Sequence, residues 1–123
     1  MSARTAIVLG AALAALAVIL GAFGAHALKE RLVESGSLES WHTAVRFQMW
    51  HALALILLGA VQRGRESVGA AGWCFLAGAV LFSGSLYGLC LDGPGQVLGP
   101  ITPLGGVLLI AGWVLFAWRA ARD

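Results

Sequence analysis

The chain has 123 residues, 59% of them hydrophobic and only 11% charged, with a formal net charge of +2. A soluble domain carries about 25% charged residues, so this composition excludes an ordinary water-soluble globule. The small charge and the lack of any basic run exclude a protein that tracks nucleic-acid phosphates.

The length allows one domain, and a mean hydropathy of +0.85 makes lipid the natural solvent for its surface. Four apolar stretches predict an all-α fold: one integral membrane four-helix bundle over 1–123, with helices at about 5–27, 38–62, 68–91 and 101–118. Each is close to the ~20 residues that cross a ~30 Å hydrocarbon core. The runs lack the alternation of strands, and an open sheet leaves edge groups unsatisfied in lipid.

The first stretch begins near Arg4 and ends at Ala25-His26-Ala27, which looks like a signal-peptide cleavage site. Its apolar run exceeds the 7–15 residues of such a core, so it is read as a retained span. Lys29 to His42 is the longest polar segment. Leu28, Leu32 and Val33 beside Lys29, Glu30, Arg31 and Glu34 predict a short amphipathic helix lying in the interface. Gly36 breaks it, and Ser37 followed by Glu39 reads as the N-cap of the second span. Residues 62–67 form a tight polar turn, and Asp92-Gly93-Pro94-Gly95 forms another. Pro100 and Pro103 suit an irregular start to the fourth helix. Cys74 and Cys90 lie sixteen residues apart in one span. That is about 24 Å of helical rise, so they are read as small apolar side chains and not as a bridge.

Basic residues orient the chain. Arg4, Arg63, Arg65, Arg119 and Arg122 fall on one side of a four-span arrangement, against Lys29, Arg31 and Arg46 on the other. This bias assigns both termini and the 62–67 turn to the cytoplasm. Trp73 and Trp118 then mark the inner interface and Trp41 the outer one.

Four patterns carry a resemblance. Gly21-Ala22-Phe23-Gly24-Ala25-His26-Ala27 closes the first helix, and Trp41-His42-Thr43-Ala44 with Phe47-Gln48 and His51-Ala52-Leu53 opens the second. Leu81-Phe82-Ser83-Gly84-Ser85-Leu86-Tyr87 lies in the third. Gly99-Pro100-Ile101-Thr102-Pro103-Leu104-Gly105-Gly106, running to Gly112-Trp113, forms the fourth. In order and spacing they resemble the YgdD/YwdK-like family of small multi-pass inner-membrane proteins of unknown function, which has eukaryotic relatives. Phe47 stands where the family pattern has Tyr. The resemblance implies a topology and an inner-membrane location, and it supplies no catalytic residues.

The polar residues of the spans gather toward the outer side. His26, Gln48, His51, Ser83, Ser85, Tyr87 and Thr102 can converge on one outward-facing pocket, as intramembrane ionisable groups often do at functional sites. They can equally act as bonds between helices, worth about 0.6 kcal/mol each on average. Gln48 and His51 are three residues apart and share a helix face. His26 with either His42 or His51 is a conceivable haem or metal pair. No acid lies in a span to complete a zinc set, and no cofactor is expected. Arg46 either snorkels or pairs with Glu39. Gly84 with Gly88, and Gly10 with Ala14, are small-residue pairs that allow close helix approach.

No nucleophile–base pair, acid pair or cofactor motif stands out. The leading expectation is therefore a non-enzymatic accessory or interaction subunit, with membrane lipid, self-association or a membrane-protein partner and no nucleic acid. The alternative is a small oligomeric transporter, or a lipid- or ligand-binding protein using the outer polar pocket. An enzyme with His51 as base and Ser83 or Ser85 as nucleophile lacks an orienting carboxylate.

Overall fold

The computed structural model describes all of residues 1–123 and contains five helices: α1 (Ala3–Ala25), α2 (Lys29–Glu34), α3 (Leu38–Val61), α4 (Ala70–Cys90) and α5 (Gly95–Arg122). There is no strand. α1, α3, α4 and α5 are long and apolar enough to cross a membrane, matching the four expected spans.

Local chemistry sets the boundaries. Ser2 caps α1 by accepting the Thr5 N–H at 3.1 Å. The Leu28 N–H returns to the Phe23 carbonyl at 2.8 Å and stops α1 at Ala25. α2 ends the same way, with the Ser37 N–H on the Leu32 carbonyl and Gly36 at φ +70° supplying the left-handed residue. Ser37 precedes α3 as expected, yet its side chain does not cap it. Its backbone is already in the right-handed helical region, whereas a capping residue is extended, and its hydroxyl meets Ser35 Oγ at 2.9 Å instead.

The fourth span begins six residues before the expected 101, so Pro100 and Pro103 lie inside α5 and do not open it. Each proline frees one carbonyl, that of Gln96 or Gly99. Both lie in the first two turns, at the membrane-surface end of the helix. There headgroups and water can serve them, so the helix tolerates the breaks.

α3 and α4 form the central pair. α1 packs along the free flank of α3, and α5 packs along α4. Glycines set the two outer seams. A Cβ on Gly10 would stand 2.7 Å from the Ala52 carbonyl oxygen, and one on Gly59 2.7 Å from that of Ala3, so α1 and α3 touch backbone to backbone. At the other seam a Cβ on Gly105 would run into the Phe82 backbone, and Gly78 faces Leu109. The expected Gly84/Gly88 pair does not form one seam. Gly88 packs on Leu98, while Gly84 faces open space.

Two apolar clusters lie at opposite ends. Ala6, Ala54, Leu55, Leu58, Val68, Ala71 and Phe75 fill the end holding both termini and the turn after α3. Leu32, Trp41 and Cys90 fill the other, where α2 inserts Leu32 like a plug. Trp41 is therefore enclosed, only 1% exposed, and does not belong to an interfacial belt. Trp73 and Trp118 are outward-facing near the opposite end.

These seams predict opposite outcomes for one kind of substitution. Gly105→Ala should lower stability by about 1–3 kcal/mol, because the Phe82 backbone cannot yield. Gly84→Ala should raise it by up to ~1 kcal/mol through helix propensity. Thermal unfolding of both variants in one detergent checks the contrast.

Candidate functional site

Between the two apolar clusters lies a layer of polar side chains. Gln48 and His51 start it from α3. Three residues of helix place them on neighbouring but diverging lines about 60° apart. Gln48 accordingly faces the seam between α1 and α4, and His51 the seam between α4 and α5.

Gln48 is buried and ties three helices together. Its Nε2 donates to the Leu13 carbonyl of α1 at 2.8 Å, and its Oε1 accepts the Tyr87 hydroxyl of α4 at 2.7 Å. The Tyr87 ring meets Trp41 edge-on at 4.8 Å. The Trp41 indole N–H donates to the Leu20 carbonyl at 2.9 Å. Ser83 donates to the Ala44 carbonyl at 2.7 Å, joining α4 to α3.

His51 uses both ring nitrogens. Nδ1 lies 2.7 Å from the Phe47 carbonyl, and Nε2 lies 3.0 Å from the Trp113 indole Nε1 of α5. A carbonyl only accepts and an indole N–H only donates. Those partners fix the tautomer: Nδ1 carries the proton and Nε2 accepts. Phe75 and Trp113 flank the imidazole, each with its ring centre 6.0 Å away.

Ser85 and Thr102 form a third group, with their hydroxyls 2.6 Å apart across α4 and α5. Ser85 Oγ also lies 3.0 Å from the Phe82 carbonyl. His26 joins none of these. It is exposed at the end of α1, beside Ile19, Ala22 and Phe23. The seven residues singled out in the sequence thus divide into two bonded pairs, Gln48–Tyr87 and Ser85–Thr102, two residues bonded elsewhere in the bundle, Ser83 and His51, and one outlier, His26.

Part of the layer still meets a groove. Leu13, Leu16 and Leu20 of α1 face Val80 and Gly84 of α4 across a cavity of about 160 Å³, with Gln48, Ser83 and Tyr87 also in its lining. No three His, Cys, Asp or Glu side chains stand together as a metal-ligand set. Arg46 pairs with Glu39 at 2.5 Å on the exposed rim, and Cys90 lies 3.6 Å from the Ser37 carbonyl. Sequence reasoning missed Trp41 and Trp113 as donors. For Trp113 the signal was an indole well inside its span, whose N–H must find an acceptor within the bundle; Trp41, placed at the start of its span, gave no such signal.

Residues 20–106 match the family described as "Protein of unknown function (DUF423)". The UPF0382 membrane protein YwdK of Bacillus subtilis is 46% identical over 119 residues, spanning 94% of this chain and 95% of its own length. The chain belongs to this family. A UPF0382 membrane protein of Staphylococcus aureus is 47% identical over 111 residues, 89% of this chain and 88% of its own. One from the fission yeast Schizosaccharomyces pombe is 38% identical over 105 residues, 80% of this chain and 86% of its own. The family is therefore one of membrane proteins with eukaryotic members, as the four motifs implied. No solved structure matches the chain.

The bridge at Gln48 predicts a measurable coupling. Gln48→Leu and Tyr87→Phe, alone and together, should give an interaction energy of about 0.6 kcal/mol, with ~1.7 kcal/mol as the upper bound. Unfolding in detergent measures it. Strict additivity would mean that the two side chains do not bond.

Proposed function

We propose that the chain is a multi-pass protein of the cell's inner membrane, with both termini and the 62–67 turn cytoplasmic, serving as a non-enzymatic accessory or interaction subunit. One observation carries the functional part. Within the spans, Gln48, His51, Ser83, Ser85, Tyr87 and Thr102 are all hydrogen-bonded inside the bundle. The lone pair that a general base at His51 would need is engaged by Trp113. Ser83 and Ser85 both turn to backbone carbonyls of their own bundle. What the protein offers to its surroundings is its outer surface.

The orientation rests on the basic residues. The arginine-rich end is also tied together. Val68 N–H donates to the Met1 carbonyl, Arg119 to the Ser67 carbonyl at 3.0 Å, and Arg65 pairs with Asp123.

The α1–α4 groove is where a partner helix would sit. Gly84 lies there exposed, with no atom within 4 Å of a Cβ placed on it, and small residues of this kind let backbones approach in lipid. The same groove favours the alternative, a lipid- or ligand-binding protein or small oligomeric transporter, because Gln48, Ser83 and Tyr87 line it.

A photo-crosslinker at Val80, compared with one at the lipid-facing Ile110 of α5, tests the choice in native membranes. The accessory role predicts a protein adduct of defined mass from Val80 and none from Ile110. Adducts of small-molecule mass alone at Val80 would favour the alternative and count against a partner.

A further inference from the structure

The largest cavity on the molecule is not in the polar layer. It lies at the end of the bundle that holds both termini, has a volume of about 390 Å³, and is lined by Ala3, Arg4, Ile7, Val8, Arg63 and Gly64. That volume is within the roughly 300–1,000 Å³ of ordinary ligand clefts.

The arginines set this cavity apart. The chain has seven, and five are occupied. Arg31 pairs with Asp92, Arg46 with Glu39 and Arg65 with Asp123. Arg119 donates to the Ser67 carbonyl, and Arg122 lies over the Trp118 ring at 4.6 Å. Arg4 and Arg63 have no ion pair and no side-chain hydrogen bond, and both line the same cavity. Glu66, three residues from Arg63, makes no ion pair with either. Two guanidinium groups brought to one concave site without an acid repel each other. An anion between them removes that repulsion, and a phosphate accepts the paired N–H fork of each.

The apolar lining narrows the class of anion. Ile7 and Val8 lie one helical turn deeper into the span than Arg4, and Val8 is 60% exposed on the lipid-facing side. The cavity thus offers positive charge at headgroup level and a hydrocarbon wall directly below it, the layout of a glycerophospholipid. We infer that Arg4 and Arg63 hold the phosphodiester of one anionic phospholipid, whose acyl chain descends past Val8. Basic sites at this depth recognise anionic headgroups in membrane proteins generally. The site is independent of the accessory role proposed above.

The test uses the full chain in a neutral detergent. Native mass spectrometry follows retention of phosphatidylglycerol, phosphatidylcholine or inorganic phosphate by the wild type, by Arg4→Gln/Arg63→Gln and by Lys29→Gln. Lys29 also lacks an ion pair but lies at the opposite end and lines no cavity. The wild type should retain one phosphatidylglycerol in preference to phosphatidylcholine. The double variant should bind it roughly thirtyfold more weakly, from the attraction of two arginines to an anionic headgroup. Lys29→Gln should bind as the wild type does. Arg4→Lys/Arg63→Lys, which keeps the charge but loses the fork, should fall between. Thermal unfolding should be unchanged in all variants, since both arginines are exposed. Equal retention by the wild type and the double variant overturns the site. Inorganic phosphate displacing the lipid at equal concentration overturns its assignment to a phospholipid.

Discussion

A polar group inside hydrocarbon must find its partner within the protein, because no water is there to replace one. The Gln48 amide meets that constraint at both of its ends, and in doing so it spans three helices. Its donor end reaches a main-chain carbonyl of α1 and its acceptor end takes the Tyr87 hydroxyl of α4. One side chain on α3 thereby fixes its position against both neighbours. His51, one turn along on a diverging line, does the same toward α5 through Trp113. Between them, two residues of α3 tie the central helix to the other three spans.

Directional bonds supply what lipid withholds. Apolar side chains gain little by leaving lipid for a helix interface, so association depends on close packing and on bonds of this kind. The glycine seams at α1–α3 and α4–α5 give the close packing, and the polar layer gives the register. The layer is enclosed by an apolar cluster on each side. Leu32 and Trp41 close one end, and Leu58, Val68 and Phe75 the other. The same enclosure strengthens the bonds and separates the polar groups from one another. That separation is why Gln48, His51 and the Ser85–Thr102 pair serve different seams and do not surround a common void.

The spans were legible because hydropathy alone reports them. A run of about twenty apolar residues has one stable conformation in lipid, and no packing detail alters that. The ends were less legible. Proline at 100 and 103 reads as a helix start in water, but at a membrane surface the freed carbonyls have other partners and α5 begins at Gly95. Ser37 has the composition of a cap without the backbone angles. The polar residues were found by type, while their pairing was not. Which face of α4 carries Tyr87 toward Gln48, and which indole reaches His51, depends on helix rotation and tilt. Packing decides those, and composition does not. Trp41 shows the limit most plainly. Its place along the chain suits an interfacial belt, yet Gly24 admits its ring against α1 and the Leu20 carbonyl holds its N–H.

The claim that the polar layer fastens helices to one another is most directly tested at His51. Nitrogen-15 NMR of the labelled protein in lipid reports which ring nitrogen carries the proton and whether the other accepts a bond. The structure predicts protonated Nδ1 and an accepting Nε2 whose signal moves on Trp113→Phe. A proton on Nε2, or a signal indifferent to Trp113→Phe, would contradict it and would leave His51 free to meet a ligand.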